Sequence, residues 1–98
     1  MKHFSFDDSG YLRWVQANPN GFVLNAGSVT DHTTKLHRAT CKTTRGTPPR
    51  AGGRFYGREE AWTGSRWKVC SLDKYELLRW APKNHRGKDA SLCLVCNP

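Results

Sequence analysis

The sequence predicts an α+β domain: two helices packed on a small, mostly antiparallel sheet, stapled by a four-cysteine zinc site. Three observations predict it. Two segments carry apolar residues at helical spacing, three short runs read as strands, and the cysteines end in a Cys93-Leu-Val-Cys96 knuckle.

The first helix is predicted over residues 7 to 17. Ser5 with Asp8 resembles a capping box, with Asp in place of the preferred Glu. Tyr11, Leu12 and Val15, with Trp14 beside them, make one apolar face. Asn18-Pro19-Asn20-Gly21 then turns the chain, and Phe22-Val23-Leu24-Asn25 follows as a strand. Residues 26 to 34 are polar and turn-like. Residues 35 to 41 read as a second strand, with His37, Ala39 and Cys41 on one face and Leu36, Arg38 and Thr40 on the other.

Residues 42 to 66 hold five arginines, five glycines and Pro48-Pro49, against only Glu59 and Glu60 as acids. A run of that composition buries no core and is expected to be a long basic loop within the single domain 1–98. Trp67-Lys68-Val69-Cys70 resumes as a strand. Ser71 is the expected N-cap of a second helix through Ala81, with Leu72, Tyr75 and Leu78 inward and Pro82 ending it. After a polar stretch, Leu92 to Cys96 carries the knuckle.

Apolar residues make up 37% of the 98 residues, below the usual ~45–50%. A thin core in a short chain calls for a staple, and the cysteines are the candidates. The N-terminus shows no apolar signal-peptide core, and no stretch reaches the ~20 apolar residues of a membrane span. The expected location is therefore cytoplasmic, and a cytosolic chain keeps its thiols reduced, which favours metal over disulfides.

The expected metal ligands are therefore Cys41, Cys70, Cys93 and Cys96 around zinc, a closed tetrahedron with no position for water. His37 is the alternative fourth ligand. On a strand, however, it would stand ~13 Å from Cys41, because each residue advances ~3.3 Å.

Sixteen basic residues against eight acidic ones leave a net charge of +8. That excess speaks about partners rather than fold, and nucleic acid, DNA above all, is the first candidate. Arg45, Arg50, Arg54, Arg58 and Arg66, with Lys42, suit phosphate oxygens, while Tyr56, Trp62 and Trp67 could stack on bases or wedge a groove. Arg38, on a strand, could read a base edge, or could pair with Asp31 or Glu76. The bland alternative is a solvated loop whose tryptophans fold back on the core.

Catalysis has thinner support. Asn84-His85 with His37 superficially suggests a metal-dependent nuclease of the histidine–asparagine–histidine kind, but no second histidine follows at helical spacing. No glycine-rich phosphate loop follows a strand.

Tyr11-Leu12-Arg13-Trp14, Gly21-Phe22-Val23-Leu24-Asn25 and Leu36-His37-Arg38-Ala39-x-Cys41 form one pattern that continues as Trp62-Thr63, Lys68-Val69-Cys70-Ser71 and Cys93-x2-Cys96-x-Pro98. The whole resembles small actinobacterial-type four-cysteine zinc-module proteins, loosely associated with restriction and defence contexts. The resemblance implies that the four cysteines and the Leu36–Ala39 string belong to one module, and it carries no activity with it. The expected function is a non-catalytic, zinc-containing DNA-binding module. The runner-up is an adaptor of antitoxin or phage-defence type that uses its basic loop on an acidic protein partner.

Overall fold

A computed structural model of the protein describes residues 1–26, 34–41, 63, 67–84 and 89–98. The described residues form five strands and two helices, in the order β1 (Lys2–Phe4), α1 (Asp8–Ala17), β2 (Phe22–Ala26), β3 (Thr34–Arg38), β4 (Trp67–Ser71), α2 (Lys74–Asn84) and β5 (Ser91–Leu92). The strands form one sheet in the order β1-β4-β2-β3-β5. Every pairing is antiparallel except β3 with β5, which is parallel. The architecture is thus the expected α+β one.

Strand alternation divides the core between the two sheet faces. Val23 and Cys70 pack with Tyr11, Val15 and Ala39 on the face that α1 covers. Leu24, Leu36 and Val69 pack with Leu77 and Ala81 on the face that α2 covers. Each face is sealed by a handful of fully buried side chains, so truncating one, such as Leu24→Ala, costs about 2–5 kcal/mol.

Asp7 caps α1, its Oδ1 accepting from the Gly10 N–H at 3.0 Å. The cap therefore lies two residues later than the expected Ser5, because β1 occupies the chain up to Phe4. That edge strand was not legible in Lys-His-Phe, where two of the three residues are polar. Tyr11 and Val15 are buried as expected.

The second helix differs more. Ser71 closes β4 rather than opening α2, and its hydroxyl accepts from the Asp73 N–H and donates to Glu76 Oε1. Asp73 then provides the first-turn acceptor, Oδ1 taking the Tyr75 N–H at 2.9 Å. Leu77 and Ala81 point inward, while Leu72, which precedes the helix, and Tyr75 are 65% and 60% exposed. Pro82 stands inside the last turn without ending it, and Asn84 Nδ2 donates to the Trp80 carbonyl beyond it. A proline there sacrifices one intrahelical N–H and leaves the preceding turns intact.

Thr63 is fully buried against the start of α1. Its N–H and Oγ1 both donate to Asp8 Oδ1, at 2.8 and 2.7 Å, and its Oγ1 accepts from the Asp7 N–H at 2.7 Å. The Phe6 N–H also donates to the Thr63 carbonyl. Thr63 is therefore tied to the N-terminal residues Phe6, Asp7 and Asp8.

Candidate metal centre

The strand order puts the end of β3 beside the knuckle. β5 runs parallel to β3 with Leu36 opposite Leu92, so His37 and Cys93 come next on their strands and share a face. The Cys93 N–H donates to the Leu36 carbonyl at 3.0 Å, extending the ladder by one step.

β3 ends at Arg38, and the chain turns immediately. The Ala39 N–H donates to the Gly21 carbonyl at 2.9 Å, and the Cys41 N–H to the Arg38 carbonyl at 3.0 Å. Gly21 leaves room for the Trp14 ring, since a Cβ there would meet it at 2.6 Å and force a shift. The turn folds Cys41 back over His37. Extended chain through Ala39 and Thr40 would have separated them, and that expectation is corrected here.

His37, Cys41, Cys93 and Cys96 form a cluster whose ligand atoms all lie within 4.8 Å of one another, and it could hold a metal ion. Cys41 and Cys93 have their sulfurs 4.0 Å apart. Two sulfurs bound at ~2.3 Å in a tetrahedron stand about 3.8 Å apart, so the spacing is close to that of a filled site. The cysteines are free thiols, not a disulfide. His37, Cys41 and Cys93 are buried, and Cys96 is half-buried.

Cys70 does not join them, which corrects the expected four-cysteine set. In register, Cys70 faces Val23 and Val23 faces His37. Two strand spacings of ~4.7–4.9 Å therefore separate Cys70 from β3, about 9.5 Å in all. It sits in the apolar core with Tyr11 and Val15. Burial pushes its thiol up to about 12, against the small opposing pull of Lys68. Cys70 is a small hydrophobic core residue.

The electrostatics of the other four suit a cation. Burial pushes His37 down to about 4, and Lys35 and Lys68 add to the effect, so the imidazole is neutral with a lone pair to give. At Cys93 burial pushes the thiol up. N–H bonds from Cys96 and Val95, with the Cys96 and Cys41 thiols, outweigh it, and the net shift is downward. The Val95 N–H reaches Cys93 Sγ at 3.4 Å. Burial raises Cys96 to about 11, the neighbouring thiols add to it, and the Arg38 N–H opposes it. A divalent cation bound among these sulfurs would favour their thiolate forms.

Arg38 closes the knuckle from outside. Its backbone N–H donates to Cys96 Sγ at 3.2 Å, its Nε to the Cys96 carbonyl at 3.1 Å and its Nη2 to the Asn97 carbonyl at 3.0 Å. Asn97 takes the left-handed conformation (φ 48°), which asparagine tolerates, and its N–H donates to the Cys93 carbonyl at 3.0 Å. The guanidinium expected to read a base edge thus lies on the chain's own C-terminal segment.

Of the other expected nucleic-acid contacts, Trp67 is half-buried at the start of β4. Lys42, Arg45, Arg50, Arg54, Tyr56, Arg58, Trp62 and Arg66 lie outside the described residues, as does His85. Among the described residues no helix is long and apolar enough to cross a membrane. The chain matches no family model, and no curated protein or solved structure is detectably similar to it.

Proposed function

We propose that the chain is a non-catalytic, zinc-containing DNA-binding module. The observation that carries the metal half is the largely buried cluster of His37, Cys41, Cys93 and Cys96. Three thiolates and an imidazole are soft and borderline donors that suit zinc over hard cations. Four protein donors complete a tetrahedron, so the ion's role is structural. It joins the turn after β3 to the C-terminal knuckle and compensates for a thin core.

The nucleic-acid half is supported by the net charge of +8 and by where its basic excess lies in the sequence. The arginine-rich segment 42–66 leaves directly from a candidate ligand, Cys41, and its far end is held by Thr63 on Asp8. The arginines of that segment carry guanidinium forks that suit phosphates.

Metal analysis combined with a mobility-shift assay at two salt concentrations tests both halves. Bound zinc is expected, as is DNA affinity that falls with salt with a log–log slope near roughly −0.9 per phosphate contacted. A flat salt response, or no retardation of any DNA at low salt, would overturn the DNA reading.

A second reading, an adaptor for an acidic protein, draws on one observation. Leu92, Leu94 and Val95 at the knuckle are 48%, 87% and 60% exposed. It predicts a tight complex in a pull-down with negligible nucleic-acid binding.

A further inference from the structure

At the β1 edge of the sheet, three rings gather that take no part in the metal centre. His3 lies edge-on to Trp67, with centroids 5.6 Å apart at 61°, and to Trp80, with centroids 6.4 Å apart at 74°. They come from three elements, β1, β4 and α2. All belong to the face that α2 covers, since His3 pairs with Val69, which packs on Leu77 and Ala81.

His3 is exposed and the two tryptophans are half-buried. Trp80 packs on the core of the α2 face. Each ring is held by a different element, and none of the three residues is fully buried. Sealing the edge of a core requires the tryptophans but not an exposed histidine bridging them.

The charge around them is mostly positive. Arg79 and Lys83 are exposed on α2 next to Trp80 and one turn after it. The acid on this flank, Glu76, is already engaged by the Ser71 hydroxyl at 2.8 Å and by the Met1 ammonium at 3.6 Å.

We infer that His3, Trp67 and Trp80 form a stacking platform for the unpaired bases of a single-stranded nucleic acid, with Arg79 and Lys83 on its phosphates. Base stacking on aromatic rings is tolerant of sequence because every base has a π-face. The inference rests on the nucleic-acid reading above and extends it by naming a strand form and described residues that hold it.

The test compares binding of a labelled oligothymidylate with that of an abasic oligomer of the same length, by fluorescence anisotropy. Stacking is expected to make the oligothymidylate bind roughly 5- to 150-fold tighter, with tryptophan fluorescence quenched on binding. His3→Ala and Trp67→Ala should remove most of that difference while leaving abasic affinity unchanged. His3 is exposed, so its variant keeps the fold even if a tryptophan variant does not. Equal binding of the two oligomers by the wild-type protein overturns the platform and leaves the phosphate reading standing. Binding of neither at low salt overturns both. Base-dependent binding that survives in both variants overturns the assignment to these rings.

Discussion

Arg38 holds Cys96 from two sides: its backbone N–H donates to the Cys96 sulfur at 3.2 Å and its side-chain Nε to the Cys96 carbonyl at 3.1 Å. The first bond favours thiolate, and the second fixes the direction in which the knuckle presents it. Groups that orient a ligand in this way typically contribute 10–100-fold to metal affinity. Arg38→Ala should weaken zinc binding by about that factor, measured by competition with a chromophoric chelator. Arg38→Lys should recover little, because a single ammonium lacks the fork that spans the Cys96 and Asn97 carbonyls.

The exchange of His37 for Cys70 in the ligand set separates two variants sharply. His37→Ala should lose or severely weaken metal binding, and with cobalt(II) as probe should alter the absorption spectrum. Cys70→Ala should bind metal with unchanged stoichiometry and spectrum, and lose only about 1 kcal/mol of stability to a core cavity. An unchanged spectrum in His37→Ala would return the fourth position to a cysteine.

Removing the metal should loosen the C-terminal segment first, because the described contacts of residues 93–97 run to β3 and to the cluster. At a thousandfold excess over its dissociation constant, a ligand specific to the folded state contributes about 4.1 kcal/mol. For a domain of this size that corresponds to a fall in Tm of roughly 15–30 °C on chelation. Thermal melts with and without chelator check the size, and amide exchange at Leu94–Asn97 checks the place.

Cys70 makes stability sensitive to alkaline pH. Its folded thiol is raised to about 12 from an ordinary value of 9.0, so the folded state holds the proton that the unfolded state releases. The stabilisation is complete below pH 9.0 and declines as pH rises towards 12. Urea midpoints should fall between neutral and alkaline pH, and fall less steeply in Cys70→Ala. In the native protein the same thiol should resist alkylation.

Thr63 and Asp8 make a buried clasp that shares no residue with the candidate metal centre. Thr63→Val removes a hydroxyl that donates to a carboxylate, a bond worth about 1.5–3 kcal/mol. Denaturant unfolding should register that loss while chelator competition shows unchanged zinc affinity. A joint loss of both would mean that the clasp and the metal centre unfold as one unit.

Periodicity over Tyr11–Val15, the Asn18–Gly21 turn and the Phe22–Asn25 strand made the first half legible, because local apolar spacing and turn chemistry decide such elements. The start of α2 was not legible in the same way. Ser71 and Asp73 are both good caps, and it was the pairing of Ser71 with Phe22 in the sheet that left the capping to Asp73. β1 was invisible for a related reason, since a three-residue edge strand takes its identity from the neighbour it pairs with.

By itself the sequence determined that this is a small, basic α+β chain whose terminal C-x2-C knuckle seeks further soft ligands. It could count cysteines but not measure between them. Tertiary structure decided which residues complete the set: parallel pairing of β5 on β3 placed Cys93 beside His37, and the turn after Arg38 folded Cys41 over both. Cys70, in the same sheet and on the same face, lies two strands away from His37. Metal coordination is a condition on distances of a few ångströms, and those distances are set by strand order and register, which no spacing along the chain contains.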